Sequence, residues 1–241
     1  MRLSVVVPVL NDAHNLGRVL GHLAAECPEA DVIVVDGGSA DGSAAVPMKY
    51  LGIRLVTSDR GRARQMNAGA SAASGDVLLF LHADSRLPAG ASAAIEKALQ
   101  DPRVVGGRFD VRLDSACPML RVVEGMMNLR SRLTGISTGD QAIFARRTVF
   151  NAMGGYAEIP LMEDVEFTRR LKRQGRLAAL GLCVTTSARK WETEGILRTI
   201  LLMWALRILY FAGMSPARLH RWYYPRLLPP EPPARDVSSH P

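Results

Sequence analysis

Three short stretches of the chain carry residue types suited to chemistry on a phosphate-bearing ligand. "LLFLHADSRLP" (78–88) is an apolar run that ends in His82-Ala83-Asp84. A buried strand can stop at Asp-Ser because these are turn residues, but an aspartate at a strand's open end can also hold a divalent cation against a phosphate. "GRARQMNAGA" (61–70) places Arg62 and Arg64 at the start of an expected helix. Cations there oppose the helix dipole, whereas an anion is favoured, so the position suits contact with a pyrophosphate as well as a solvated surface. "EDVEFTRRLKRQG" (163–175) follows Pro160 and puts Glu163 and Asp164 in a first helical turn. Acids are stabilised there, and Glu163, Glu166 and Arg170 have the spacing of an ion-pair lattice. Asp164 lies about a hundred degrees round the helix from Glu163, so that lattice does not account for it.

The elements that must position these residues follow from the apolar pattern. "LSVVVPV" (3–9), "DVIVVD" (31–36), "IRLVT" (53–57) and "DVLLFL" (76–81) are short runs rich in Val, Ile and Leu. Continuous hydrophobicity implies strands covered on both faces, as in a parallel sheet. "HNLGRVLGHLAAEC" (14–27), "SADGSAAVPMKYLG" (39–52) and "RARQMNAGASAAS" (62–74) are the expected helices between them, the second weakened by Pro47. This alternation predicts an α/β fold with a doubly wound sheet, in which ligands bind beyond the carboxyl ends of the strands. Asn11-Asp12, "DGGSADGS" and "HADS" all fall at that edge. The glycine-rich loop lacks the Lys-Ser/Thr of a P-loop and the GxGxxG spacing, so a plain loop with Ser39 or Asp41 as a helix cap competes with a binding role. Asp36, at the strand tip, is placed to accept hydrogen bonds from a ribose or base. Farther on, "VVGGRFDVRLD" (104–114) reads as a longer strand, followed by a helix near 116–133.

Composition narrows the class. The 241 residues are 48% hydrophobic and 22% charged, an ordinary globular balance that excludes wholesale disorder. Three scattered cysteines (Cys27, Cys117, Cys183) form no CxxC pair, which argues against structural zinc or a disulfide framework and suits a reducing compartment. The apolar run at the amino terminus is short and contains Pro8, and reads as a strand rather than a signal peptide. Net charge is +7, and from residue 186 onward eight basic residues face four acidic ones.

The segments "VVVPVLND", "VVDGGSADGS", "NAGASAASGDVLLFLHAD", "GDQAIFARRTVF…MGGY" and "MEDVEFTRRLKRQG" occur in this order. Together they resemble the family 2 glycosyltransferases of GT-A fold, over roughly residues 1–185, with "DGGS", "HAD" and "GDQ" typical of a subgroup of small bacterial enzymes. The resemblance implies a Rossmann-like, mostly parallel sheet flanked by helices. It covers a 1–185 domain (1–100 binding nucleotide, 101–185 carrying acceptor and catalytic residues); beyond it the residues themselves read as an apolar and basic helical extension at 186–226 and a proline-rich, flexible tail at 227–241. It implies that Pro8, Val9, Leu10 and Asn11 line the nucleoside pocket, that Asp36 touches base or ribose, and that Arg62 or Arg64 meets the nucleotide. Asp84 matches the last acid of the family's metal-binding DXD and would hold Mg2+ or Mn2+. Asp164, beside Glu163, matches the general base, and Gly139 and Asp140 would lie by the sugar or acceptor. One base and no enzyme nucleophile implies inversion. Two positions depart from the family: Gly37 replaces the second acid of Asp-Asp-Gly-Ser, which leaves a uracil preference open, and His82 replaces the first acid of DXD, either as a metal ligand or as a structural strand cap.

The implied partners are a nucleotide-diphosphate sugar donor and a lipid or membrane-proximal acceptor. "GILRTILLMWALRILYFAGM" (195–214) approaches the length of a membrane span but contains Arg198 and Arg207. A charge near a helix centre costs ~2.5–3.5 kcal/mol, which disfavours a lone span. Packing on the domain, a homodimer contact and an interfacial position compete. Arg218, His220, Arg221, Trp222, Tyr223, Tyr224 and Arg226 follow, and basic groups interleaved with aromatics favour the headgroup layer of the membrane's cytoplasmic face across 195–226. Nucleic-acid binding is disfavoured because the aromatics adjoin an apolar helix. Two rival functions remain: a non-catalytic nucleotide-sugar-binding scaffold, and a nucleotidyltransferase making such sugars, which would want a basic Gly-rich loop in place of "PVLNDAHN".

Overall fold

The computed structural model describes residues 1–224. Eight strands form one sheet: β1 (Leu3–Val9), β2 (Asp31–Asp36), β3 (Arg54–Thr57), β4 (Val77–Phe80), β5 (Ser85–Arg86), β6 (Val104–Asp114), β7 (Phe144–Arg146) and β8 (Arg176–Ser187), in the order β3-β2-β1-β4-β7-β6-β8-β5. The first four neighbours are parallel. β7 then runs antiparallel to both β4 and β6, β8 is parallel to β6, and β5 closes the edge antiparallel to β8. The expected fold class holds: a mixed α/β chain whose parallel half carries the amino-terminal strands. One sheet spans residues 3–187, and the boundary expected at 185 falls inside β8.

The alternation of side chains along a strand sorts the core into two layers. Val5, Val7, Val32 and Val34 meet Leu16, Leu20 and Leu23 of α1 (Ala13–Glu26) on one face. On the other, Val6, Ile33 and Val35 meet α2 (Arg62–Ala72), while Phe80, Phe150, Tyr156 and Phe167 form an aromatic cluster under α5 (Arg147–Ala152) and α6 (Glu163–Gln174). α2 approaches the sheet closely because residue 69 is glycine: a Cβ there would lie 2.3 Å from Val6 Cγ1 and 2.8 Å from Val35 Cγ2. Asn67, one residue pair away, binds the Tyr156 backbone in both directions and ties α2 to the second half of the chain.

The helix expected over 39–52 is absent. That stretch makes two 3-10 turns, Ser43–Ala45 and Pro47–Lys49. Pro47 removes a backbone donor, and Asp41 and Ser43 spend their side chains on the loop after β1, so no continuous ladder forms.

The extension after β8 consists of α7 (Arg189–Glu194), α8 (Ile196–Phe211) and α9 (Pro216–Tyr223). It packs on the body of the protein. Ile196 and Ile200 join Leu120 and Val123 of α4 (Pro118–Thr134), and Leu206 and Leu219 join Met162 and Val165. The far face of α8 stays exposed. No described helix is long and apolar enough to cross a membrane. Arg226 and the tail expected at 227–241 lie outside the described residues.

Candidate active site

Two cavities meet beyond the carboxyl ends of β1 and β4. The larger, about 910 Å3, is lined by Pro8 and Val9 at the end of β1 and Leu10 and Asp12 after it, by Arg60–Gln65 at the start of α2, by His82–Asp84 after β4, and by Glu158–Leu161 and Glu163. The smaller, about 290 Å3, reaches from Asp84, Thr138–Asp140 and Glu163–Val165 outward between α4 and α8. Arg62, His82, Asp84, Leu161 and Glu163 border both. Of the residues expected at a site, Pro8, Val9, Leu10, Arg62, Arg64, His82, Asp84 and Glu163 face the first cavity, while Asp140 and Asp164 face the second. Asn11, Asp36 and Gly37 line neither.

Those three residues shape the rim from behind. Asn11 adopts a left-handed backbone (φ 52°), its N–H donates to Ser39 Oγ at 2.9 Å, and its Oδ1 accepts from Ala40 N–H at 2.8 Å. Asp41 accepts Ala13 N–H at 2.9 Å and so caps α1, the helix before it in the chain rather than one after it. Asp36 is buried. Its Oδ2 accepts the N–H groups of Gly38 and Ser39, and its Oδ1 has no partner among the described residues. Gly37 has little room for a side chain, since a Cβ would lie 3.0 Å from the Gln65 carboxamide. That carboxamide donates to Val9 O (2.7 Å) and Val35 O (3.0 Å), binding together the ends of β1 and β2.

Arg62 and Arg64 separate clearly. Arg64 is engaged at the rim by Glu158 (3.0 Å) and Asp59 (3.6 Å). Arg62 stands where the cavities join, with Nη1 3.4 Å from Glu163 Oε1. Burial pushes the Glu163 carboxyl above its usual range and Asp164 adds to this, while Arg62 works the other way. Asp164 Oδ2 accepts Gly139 N–H at 2.8 Å, and its Oδ1 accepts Val165 N–H at 2.7 Å. Asp140 is held above the usual carboxylate range, chiefly by burial. Its partner is the Thr138 hydroxyl, on the residue preceding the 3-10 turn Gly139–Gln141. Gln141 is structural, fixing that turn by bonds to Thr138 and Ser131.

The Asp84 carboxyl is raised above its usual range by burial and by neighbouring Asp12. Two acids in proximity with only partial relief from Arg62 fit a divalent cation, and Mg2+ or Mn2+ can bind through one or two carboxylates with phosphate oxygens and water. Among the described residues no three His, Cys, Asp or Glu side chains gather into an all-protein cage. His82 is pushed down to about 3 by burial and by Arg62, so its ring is neutral. Its Nε2 is buried without a hydrogen-bond partner among the described residues and packs on Gly139, where a Cβ would lie 2.4 Å away. The glycine of "GDQ" is thus required by the histidine of "HAD".

Strain gathers here. The non-glycine residues of positive φ among those described are Asn11, Ala142 (φ 45°) and Met162 (φ 69°). Ala142 follows the Gly139–Gln141 turn and Met162 precedes Glu163, so the second and third hold the segments carrying Asp140 and Asp164. Sequence reasoning missed these, and it also missed the reach of α9. Tyr223 lines the smaller cavity with the Lys190 ammonium 3.6 Å from its ring centre, and His220 and Tyr224 line the larger one. A basic-aromatic cluster after an apolar helix read as a headgroup anchor, and its spacing carried no sign that α9 folds back.

Comparisons with known proteins bear on this arrangement. Residues 4–149 match the model of glycosyl transferase family 2. The chain is 31% identical over 168 residues to an undecaprenyl-phosphate 4-deoxy-4-formamido-L-arabinose transferase of Sodalis glossinidius (63% of this chain, 51% of the relative). It is 30% identical over 164 residues to a PGL/p-HBAD biosynthesis glycosyltransferase of Mycobacterium bovis (64% and 62%). It thus spans about half to three-fifths of the length of these relatives. In fold it is similar to a mannosyltransferase of Pyrobaculum calidifontis in complex with GDP-Man and Mn2+ (TM-score 0.69, 22% identity, covering 92% of this chain and 69% of that one). It is also similar to S. aureus TarS 1–349 in complex with UDP-GlcNAc (TM-score 0.62, 20% identity, covering 78% and 58%). The match over more than half the chain, on a sheet that carries the GT-A arrangement, makes this protein a member of glycosyl transferase family 2.

Proposed function

We propose that the protein is an inverting, metal-assisted glycosyltransferase that moves a sugar from a nucleotide-diphosphate donor to a hydroxyl of a lipid or membrane-proximal acceptor. The observation that carries this reading is the junction of the two cavities, where Asp84 and Arg62 face the larger and Asp164 lies just inside the smaller. The donor occupies the larger cavity, its nucleoside against Pro8–Leu10 and its diphosphate near Arg62 and the amino terminus of α2. Asp84 would hold a divalent cation, with Asp12 beside it, and His82 supports the Gly139 turn. A divalent cation there supplies charge neutralisation on the departing diphosphate. Asp164 takes the acceptor proton as the acceptor oxygen bonds to the anomeric carbon. The bond from that carbon to the β-phosphate oxygen breaks with its electron pair going to the nucleoside diphosphate. Glu163 and Arg62 fix the helix end that presents Asp164, and Asp140 adjoins the acceptor.

Peripheral attachment to the cytoplasmic face of a membrane fits the outer surface. Leu197, Leu201, Trp204, Ile208 and Phe211 form an exposed stripe along α8, and Met119, Val122, Met126, Leu129 and Leu133 form another along α4. Both repeat every three or four residues, and Met126 and Trp204 stand at the walls of the smaller cavity between them. A surface bearing two such stripes suits the interface of a bilayer, with the cavity opening toward it. The relatives from Sodalis and Mycobacterium, by their names, act in undecaprenyl-phosphate and PGL chemistry, which accords with a lipid acceptor.

The test is a thermal-shift panel of UDP-, GDP-, dTDP- and CDP-sugars with and without Mn2+. One donor is expected to raise the melting temperature in the presence of metal. A panel in which no nucleotide sugar stabilises the protein under either condition would refute the reading.

A further inference from the structure

The smaller cavity has two different ends. Toward the outside its walls are apolar, built from Val123, Met126 and Met127 of α4 and from Ile200, Met203 and Trp204 of α8. Toward the sheet it ends at Asp140 and Asp164, with Arg130 from α4 and Arg207 from α8 on facing walls. Arg130 donates through Nη1 to Ile136 O at 3.2 Å, but its Nε and Nη2 are buried with no partner among the described residues. Neither arginine forms an ion pair with an acid among those residues. Both guanidinium-bearing residues line this one cavity, and burial together with the charge of Arg207 pushes Arg130 down to about 10. Asp140 and Asp164 offset part of this charge without satisfying the donors. A buried guanidinium with two free donors carries an unmet desolvation cost, and its fork geometry suits a planar or tetrahedral oxyanion.

We propose that Arg130 and Arg207 form an anion subsite for the acceptor, which is therefore an amphiphile with a phosphate or carboxylate in its head and an apolar tail lying between α4 and α8. This rests on the glycosyltransferase reading and adds the acceptor's chemical class. An oxyanion between the two arginines satisfies Nε and Nη2 of Arg130 and removes the repulsion. The head then sits beside Asp164, and the tail passes Met126 and Trp204 toward the two exposed stripes. A neutral lipid would fill the apolar part and leave the arginines as they are.

Trp191 and Trp204 line this cavity, so tryptophan emission reports its occupancy. The full chain is titrated, below micelle concentrations, with dodecyl phosphate, dodecanoate, dodecanol and inorganic phosphate. Dodecyl phosphate or dodecanoate is expected to bind at least tenfold more tightly than dodecanol, with inorganic phosphate far weaker, and the order of the two anions identifies the head group. Arg130→Gln is expected to abolish the preference for the anion while leaving dodecanol affinity and the donor-induced thermal shift unchanged. Arg207→Gln, on the facing helix, repeats the test should Arg130→Gln not fold. Equal affinity for dodecanol and both anions, or an anion preference that survives both substitutions, overturns the subsite. A missing donor shift alongside intact anion binding counts against the glycosyltransferase reading instead.

Discussion

The two cavities that meet at Asp84 are built by different means. The larger cavity, proposed above for the donor, is assembled at the ends of β1 and β4 and at the start of α2, and its rim is tied by backbone-to-side-chain bonds between segments distant in the chain, such as Ala40 N–H to Asn11 and Gln65 to Val9 O. The smaller cavity, proposed above for the acceptor, lies between α4 and α8, which are about seventy residues apart in the chain, and combines apolar side chains of both helices with charged groups that include Asp140, Asp164, Arg130, Arg207 and Lys190. A rigid sheet edge suits a ligand whose phosphates must be placed to within a fraction of an ångström. A groove between two helices, each with an exposed apolar stripe, suits a ligand that arrives from a lipid phase. The difference teaches that one sheet can offer fixed geometry on one side and access on the other, with Asp84, Arg62 and Glu163 as the shared wall.

The sharpest way to break this division is at Asp164. Asp164→Asn leaves one oxygen to accept from Gly139 N–H, gives up the bond from Val165 N–H and removes the base, so transfer is expected to fall by about 10³-fold while the donor's thermal shift persists. Transfer at an unchanged rate in Asp164→Asn removes Asp164 from the reaction. Next comes Asp84→Asn, on the donor side. It is expected to eliminate the metal-dependent part of donor stabilisation, where a ligand at a hundred times its Kd contributes ~2.7 kcal/mol. A shift that survives intact would place the cation elsewhere.

The same division governs what could be read in advance. The parallel half was legible because buried strands leave continuous apolar runs: β1 and β2 begin and end at the residues expected, as does β6 in the other half. Their loops were legible because strand ends in such sheets face ligands, which brought Arg62, His82, Asp84 and Pro8–Leu10 to one cleft. The stretch 39–52 misled because its helical composition yielded to bonds made by Asp41 and Ser43 with the loop after β1. Asn11 and Asp36, expected at the nucleotide, do not line the cleft and make bonds that organise its loops, a distinction between lining and supporting that residue type alone does not carry. The acceptor side was largely hidden. Arg130 sits in a stretch read only as helix, Met162 and Ala142 show their left-handed backbones only in three dimensions, and α9 reaches the site through a packing contact of Leu219.

Membrane contact can be separated from cavity function by substitutions on the stripes alone. Leu129 and Leu201 are exposed and line neither cavity. Leu129→Asp combined with Leu201→Asp is expected to lower sedimentation with phosphatidylglycerol-rich vesicles by about tenfold or more, since each leucine contributes about 1.5 kcal/mol or more when buried in an apolar phase. The melting temperature and the donor shift should hardly change. Unaltered vesicle binding would mean that the stripes serve some contact other than a bilayer.

The smallest expected effect lies far from both cavities and tests whether the donor half is rigid for reasons of its own. Asp31, at the start of β2, accepts from Ser4 Oγ (2.8 Å), from the N–H and hydroxyl of Ser74 (2.9 and 2.7 Å) and from Arg54 (2.6 Å). Burial alone would raise its carboxyl, but bonds from Ser74, Ser4 and Arg54 outweigh that and hold it at about 2, against an ordinary 3.8. A depressed folded-state value means that the stabilisation is complete above pH 3.8 and is lost as pH falls through about 2. Arg54 is 46% exposed, so solvent screens part of the gain, and ~1–2 kcal/mol is the expected size. Asp31→Asn should therefore lower stability at pH 7 by that amount and flatten the decline in denaturant midpoint between pH 4 and 2. Because Asp31 pins β2 to β1 at the end of the strands opposite the cleft, donor binding should be unaffected at neutral pH. A variant that loses donor affinity while keeping its melting temperature would show that the sheet edge depends on its far end, and that the donor side is less independent than its local bonds imply.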